Sequence, residues 1–204
     1  MATYKADQAT KGKTMRKAKI TRTTAETDIS VELNLDGTGT YDNDSGVGFF
    51  DHMLDQLATH AGWSLIINVD ADLEVDDHHG IEDVAICLGQ AVYKAWSAQA
   101  NKRYGQRLLP MDEALTTCAV DLCGRPYCVT SLPFSQPQLG GINTEMWDHF
   151  FYTFAINAKV CLHINNQYFK NNHHLIESAF KAMAYAFKEA LEPAQSFTTT
   201  KGIL

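Results

Sequence analysis

The chain of 204 residues has no C-x-x-C pair, and its cysteines are odd in number: Cys87, Cys118, Cys123, Cys128 and Cys161. That argues against a disulfide framework and against a Cys-type zinc site. Buried free thiols in a reducing, cytoplasmic compartment are expected instead. No apolar run approaches the ~18 residues needed to cross a bilayer, so no membrane span is expected. The opening MATYKADQAT lacks the apolar stretch of a secretory signal. Prolines number only five and the thirteen glycines follow no period, which excludes a collagen-like chain. Positive charge is also scarce. Lys and Arg total 17 against 24 Asp and Glu, a net charge of −7, which argues against nucleic-acid binding. What cation there is clusters early: residues 1–22 hold Lys5, Lys11, Lys13, Arg16, Lys17, Lys19 and Arg22 against Asp7 alone. Residues 1–15 are expected to form a flexible basic tail.

The remaining chain is written twice. Asp51-His52 and HHGIE at 78–82 return as Asp148-His149 and HHLIE at 173–177. An aromatic pair accompanies each Asp-His, Phe49-Phe50 in the first copy and Phe150-Phe151 in the second. Residues 49–61 have helical spacing with Gly62 as a stop. SLIINVD (64–70) reads as a strand, and a helix follows from about His79 to Ala98. In the second copy the corresponding readings are helix at 145–158, strand at 159–164 and helix at 173–191, ending before Pro193. Each copy begins with β-type sequence. DISVELNLDG (28–37) alternates Ile29, Val31, Leu33 and Leu35 before an Asp-Gly turn. TTCAVDLCGRPYCVTSL (116–132) reads as a hairpin bent at Gly124-Arg125-Pro126. The expected fold is α+β: two β-β-α-β-α halves, about 16–105 and 106–204, with sheets packed against helices in a sandwich. Residues 101–110 are the expected connector.

All eight histidines lie between residues 52 and 174, and four of them form two adjacent pairs, each with Glu three residues beyond its second His. Histidine and carboxylate three or four residues apart on a helix can reach one ion. Adjacent helical residues diverge by ~100°, so the two members of a pair do not chelate one ion together. One natural solution is two ions, each collecting ligands from different elements, repeated in both halves. His52 and His149, matched in the repeat, are the third imidazoles. Imidazole with carboxylate and no thiolate favours Mn, Fe, Ni or Zn over Ca or Mg. His163 has no repeat partner and is read as structural. His60 stands ~12 Å along the helix from His52, too far to share its ion. Its repeat counterpart is Asn157, which leaves open substrate contact or a role in another subunit.

Together, GVGFFDHMLDQLATHAGW, DDHHGIEDV, DLCGRPY, NNHHLIESAFKA and the terminal TTTKGIL resemble the imidazoleglycerol-phosphate dehydratases of histidine biosynthesis, in order over residues 16–204. The resemblance implies a duplicated fold, two Mn²⁺ per active site, and a 24-subunit shell with active sites shared between subunits. It implies metal ligation by His52, His78, His79, Glu82, His149, His173, His174 and Glu177, and substrate contact by Glu26, the stretch His52 to His60, Arg103, Arg125 and Lys181. The Ser-Ser-Lys that ends many members stands here as Thr199-Thr200-Lys201. The sequence departs from the family at Gly80-Ile81, Cys123 and Phe169; none of these removes a ligand or a charge.

The implied reaction removes water from imidazoleglycerol phosphate through a metal-stabilised imidazolate and a diazafulvene-like intermediate, giving imidazoleacetol phosphate. Glu26 is the candidate for proton transfer, and His52, His60, Glu82 and Glu177 complete the candidate catalytic set. Arg103, Arg125, Lys181 and Lys201, with Thr199 and Thr200 donating hydrogen bonds, are the phosphate candidates. The His/Glu pattern alone also suits a dinuclear metallohydrolase, or metals that only join subunits.

Overall fold

In DISVELNLDG, every second side chain is apolar, and the strand this pattern specifies organises the first half. A computed structural model describes residues 15–196. Strand β2 (Thr27–Asn34) buries Thr27, Ile29, Val31 and Leu33 and turns Asp28 and Glu32 outward. The antiparallel β1 (Lys17–Thr23) flanks it on one side and β4 (Ser64–Ala71) on the other, with β3 (Tyr41–Asp44) parallel to β4 at the far edge. The second sheet repeats this arrangement. β5 (Tyr104–Met111), β6 (Ala114–Asp121), β10 (Cys161–Tyr168) and β7 (Tyr127–Ser131) lie in that order, with β7 parallel to β10. β8 (Gln138–Leu139) and β9 (Ile142–Asn143) form a small separate ladder.

The register repeats as well. Leu33 lies opposite Leu65, and Val31 opposite Ile67; in the second half Val120 lies opposite Leu162, and Cys118 opposite Ile164. This equivalence puts Glu26 and Glu113 at matching positions, each immediately before the central strand of its half.

Three details differ from the sequence reading. The first half has three strands before its first helix, and the second has three counterparts plus the short β8–β9 ladder, where two were expected in each. Residues 101–110 are no plain connector, since most of them form edge strand β5. Only Gly105 and Leu109 are buried along it, which hides the alternation, and Pro110 is tolerated at an edge. Finally, β6 and β7 do not form a hairpin. The turn at Gly124 exists, with φ +72°, but the chain crosses over so that β10 pairs between them.

Helix α1 (Gly48–Ala61) stops at Gly62, whose φ of 74° lets its N–H reach back to the last turn. The other helices are α2 (His78–Trp96), α3 (Glu145–Ala158) and α4 (Asn172–Ala190). α2 lies on β1 and β2, and α4 on β5 and β6. Between the halves, α1 packs on α4 and α2 on α3. The helices therefore form the interior and the sheets the outside. The repeated aromatics fill the helix interfaces: Phe50 meets Phe150 edge-on at 5.4 Å, and Phe150 and Phe151 pack on Phe180.

Candidate metal centres

Both inter-half helix pairs run side by side in the same direction, and each gathers imidazoles and a carboxylate near its N-terminal end. On α1 and α4, His173 Nε2 lies 2.8 Å and His52 Nε2 3.5 Å from the same oxygen of Glu177. On α2 and α3, His149 Nε2 lies 3.1 Å from Glu82 Oε1, and the rings of His78 and His149 are 4.9 Å apart. In each cluster, the three ligand atoms fall within 4.8 Å of one another. The i, i+4 spacing of His78 with Glu82 and of His173 with Glu177 puts both groups on one helix face. The third ligand arrives from the opposing half. Two imidazole nitrogens and one carboxylate oxygen suit a first-row transition ion and leave coordination positions for further ligands.

The two clusters differ in their surroundings. Glu177 is buried and ion-paired through its other oxygen to Lys181 at 2.6 Å. Burial alone would raise its pKa, but the bonds from Lys181 and His173 bring it below the usual carboxylate value. Phe49 closes this cluster, with its ring edge-on to His173 at 5.2 Å. Two turns further along the same groove, His60 Nδ1 faces the Tyr185 hydroxyl at 3.3 Å and Nε2 faces Gln56. Burial, then Lys181, lowers the His60 pKa. At the matching position of the other helix pair, Asn157 meets Gln90 instead. Lys181 has Ile86 as its counterpart there.

The second histidine of each pair turns elsewhere. His79 Nδ1 lies 3.1 Å from both oxygens of Asp72, and its Nε2 is 3.8 Å from Glu26. The Asp72 contact raises the His79 pKa. His174 Nδ1 lies 2.8 Å from Glu113, and its Nε2 is 3.7 Å from Asp112. This contact with His174 pulls the Glu113 carboxyl down to about 2. Neither His79 nor His174 joins the cluster of its own pair. Nothing in the sequence pattern pointed to Asp72, Asp112 or Glu113. Their partners lie 7 to 62 residues away in the chain, and short acidic turns are common.

Among the phosphate candidates within the described residues, only Lys181 touches a cluster. Arg103 forms a two-point ion pair with Asp121, at 2.7 and 3.1 Å. Its N–H donates to the Ala190 carbonyl at the end of α4, thirteen residues past Glu177 or ~20 Å along the helix. Arg125 is exposed in the loop before β7, where Cys123 Sγ donates to its carbonyl at 3.4 Å. Tyr127, two residues on, pairs with Val160 beyond the C-terminal end of α3, whereas His149 stands near the opposite end. His163 lies on β10 beside Cys161, outside both clusters. Asp51, next to His52, accepts from the Ser45 N–H. Thr199, Thr200, Lys201 and the tail up to residue 14 lie outside the described residues.

Comparisons with known proteins agree over nearly the whole chain. A family model for imidazoleglycerol-phosphate dehydratase matches residues 45–187. A protein of that name from Jannaschia sp. (strain CCS1) is 50% identical over 195 residues, covering 93% of this chain and all of the relative. One from Dinoroseobacter shibae is 49% identical over the same shares. The crystal structure of the Staphylococcus aureus dehydratase superposes with a TM-score of 0.79 at 34% identity, covering 86% of this chain and 98% of the other. That of Pyrococcus furiosus gives 0.81 at 30%, covering 91% and 100%.

Proposed function

The chain belongs to the imidazoleglycerol-phosphate dehydratase family, and from that membership and the two clusters we infer how it works. It is a dehydratase, a hydro-lyase of histidine biosynthesis. The observation that carries the metal-dependent reading is the repeated His₂Glu cluster, three ligand atoms within 4.8 Å in each half.

Two Mn²⁺ ions would be held per active site, one on His52, His173 and Glu177 and the other on His78, His149 and Glu82. Each would be completed by His79 or His174 of another copy. Support for this sharing comes from the outward turn of those two histidines and from the distance between the clusters and Arg103 and Arg125. The enzyme is therefore read as a homo-oligomer, a 24-subunit shell in keeping with the family. Five unpaired thiols suit a cytoplasmic setting. No described helix is long and apolar enough to cross a membrane.

The proton removed from imidazoleglycerol phosphate is not adjacent to a carbonyl, so the substrate's ring must serve as electron sink. It passes through a diazafulvene-like intermediate on the way to imidazoleacetol phosphate. A bound cation supplies the acidification of a ring nitrogen that this needs. The chain's own groups do the rest. Glu26, exposed beside His79 Nε2, takes up or delivers a proton. His60, held by Tyr185 and Gln56 in the groove beyond Lys181, contacts the substrate. Lys181, with Arg103 and Arg125 from another copy and Thr199, Thr200 and Lys201, fixes the phosphate.

The test is to incubate Mn²⁺-loaded protein with imidazoleglycerol phosphate and assay the ketone product, with a chelator-treated control. Product that forms only with metal is expected. Its absence from a folded, metal-replete assembly would refute the reading, and hydrolysis of the phosphate ester would point to a metallohydrolase.

A further inference from the structure

Among the described residues, only two of the eight histidines set Nδ1 against a carboxylate, and they are the outward members of the two pairs, His79 and His174. A carboxylate can only accept, so Nδ1 carries the proton and the lone pair is left on Nε2. We propose that Asp72 and Glu113 are positioning residues that fix this tautomer and the ring direction, holding each outward Nε2 ready to ligate a metal ion of another copy. The proposal rests on the dehydratase reading above.

The Glu113 carboxylate and the Asp72 main chain are themselves braced. Glu113 accepts from the Asn171 N–H at 2.7 Å with its second oxygen, which ties the β5–β6 turn to the start of α4. The Asp72 N–H donates to the Glu26 carbonyl at 3.1 Å. The two side chains are only 20% and 28% exposed, for Asp72 and Glu113 respectively. A brace of this kind costs a ligand little freedom on binding and makes the imidazole more basic.

The repeat supplies an independent argument. Asp72 follows β4, while Glu113 precedes β6, so the two are not counterparts. The counterpart of Glu113 is Glu26, which faces the other nitrogen of its histidine at 3.8 Å. Simple duplication would have set Nδ1 against the same position in both halves. The same contact is instead built from two different elements, as expected if the contact itself is what matters.

The rival role for Glu113 is a purely structural tie between the β5–β6 turn and α4. The experiment titrates the metal-free protein with Mn²⁺, following the loss of the free-ion EPR signal, and records the thermal midpoint of each metal-free variant. Glu113→Ala and Asp72→Ala should each weaken one class of sites by about 10–100-fold, leaving the other class unchanged. Glu113→Gln keeps one acceptor oxygen, which turned towards His174 still meets its Nδ1–H, and should recover part of the affinity. Unchanged affinity in both Ala variants would overturn the proposal. So would a loss of affinity that tracks the fall in the metal-free midpoint and is not recovered by Gln. Should Glu113→Ala fail to fold, Glu113→Asp, whose shorter reach loses His174, is compared with Gln against the same two outcomes. If the unvaried protein binds no Mn²⁺ and forms no product, the dehydratase reading fails. If it does both and the variants bind equally well, only the positioning role fails.

Discussion

Glu177 is 6% exposed and touches His52, His173 and Lys181 at once. Its replacement by Gln keeps the volume but removes the anionic oxygen. Glu177→Gln and Glu82→Gln should each lower turnover by at least about 100-fold, with folding intact and bound metal reduced; full activity in either would remove it as a ligand. His60 gives a pH signature. Its folded pKa lies below 6.5, through burial first and Lys181 second. The folded protein refuses a proton that the unfolded chain accepts. This group's contribution is therefore intact above about pH 6.5 and declines as pH falls from there towards the lowered folded value. Thermal midpoints of the metal-free protein across that window should fall less for His60→Gln than for the unvaried chain. Equal falls would contradict the assignment. The His-His-x-x-Glu groups were legible in the sequence because helical spacing encodes them locally. Gln56 and Tyr185 around His60, and Asp72 and Glu113 behind the outward histidines, were not, since those contacts depend on where separate elements dock.

Strand β5 lies so close to α4 that Gly105 has no room for a side chain. A Cβ there would stand 2.0 Å from the Ala186 carbonyl oxygen and 2.6 Å from the Ala190 nitrogen, both backbone. Gly105→Ala should cost about 1–3 kcal/mol, read as a lower urea midpoint. Gly48→Ala is the control, because nothing lies within 4 Å of its Cβ position and Ala favours a helix. A midpoint unchanged by Gly105→Ala would show that β5 does not hold this register. This is also the element the sequence hid. An edge strand with two buried positions has no alternation to read, and sequence-adjacent strands such as β6 and β7 pair by default in a local reading. The helices and β4 were readable to within a residue or two, since their buried faces repeat and Gly62 marks a stop.

At the scale of the whole molecule, the metal candidates and the described phosphate candidates Arg103 and Arg125 sit at opposite ends of the fold. That separation was invisible in the sequence, where Arg103 and Arg125 are as near to the clusters as any connector residue. Arg125→Ala should raise KM while leaving metal content unchanged, and an unchanged KM would remove Arg125 from the phosphate site. The central claim is that the catalytic unit is the assembly and not the single chain. Its most direct measurement is activity at subsaturating substrate in oligomers co-assembled from Glu177→Gln and Arg125→Ala chains. If the two residues reach one active site from different copies, some sites in the mixture inherit both native groups, and activity should exceed the mean of the two pure assemblies. Activity that never rises above that mean would contradict the claim, since it would place both residues in the same site of one chain.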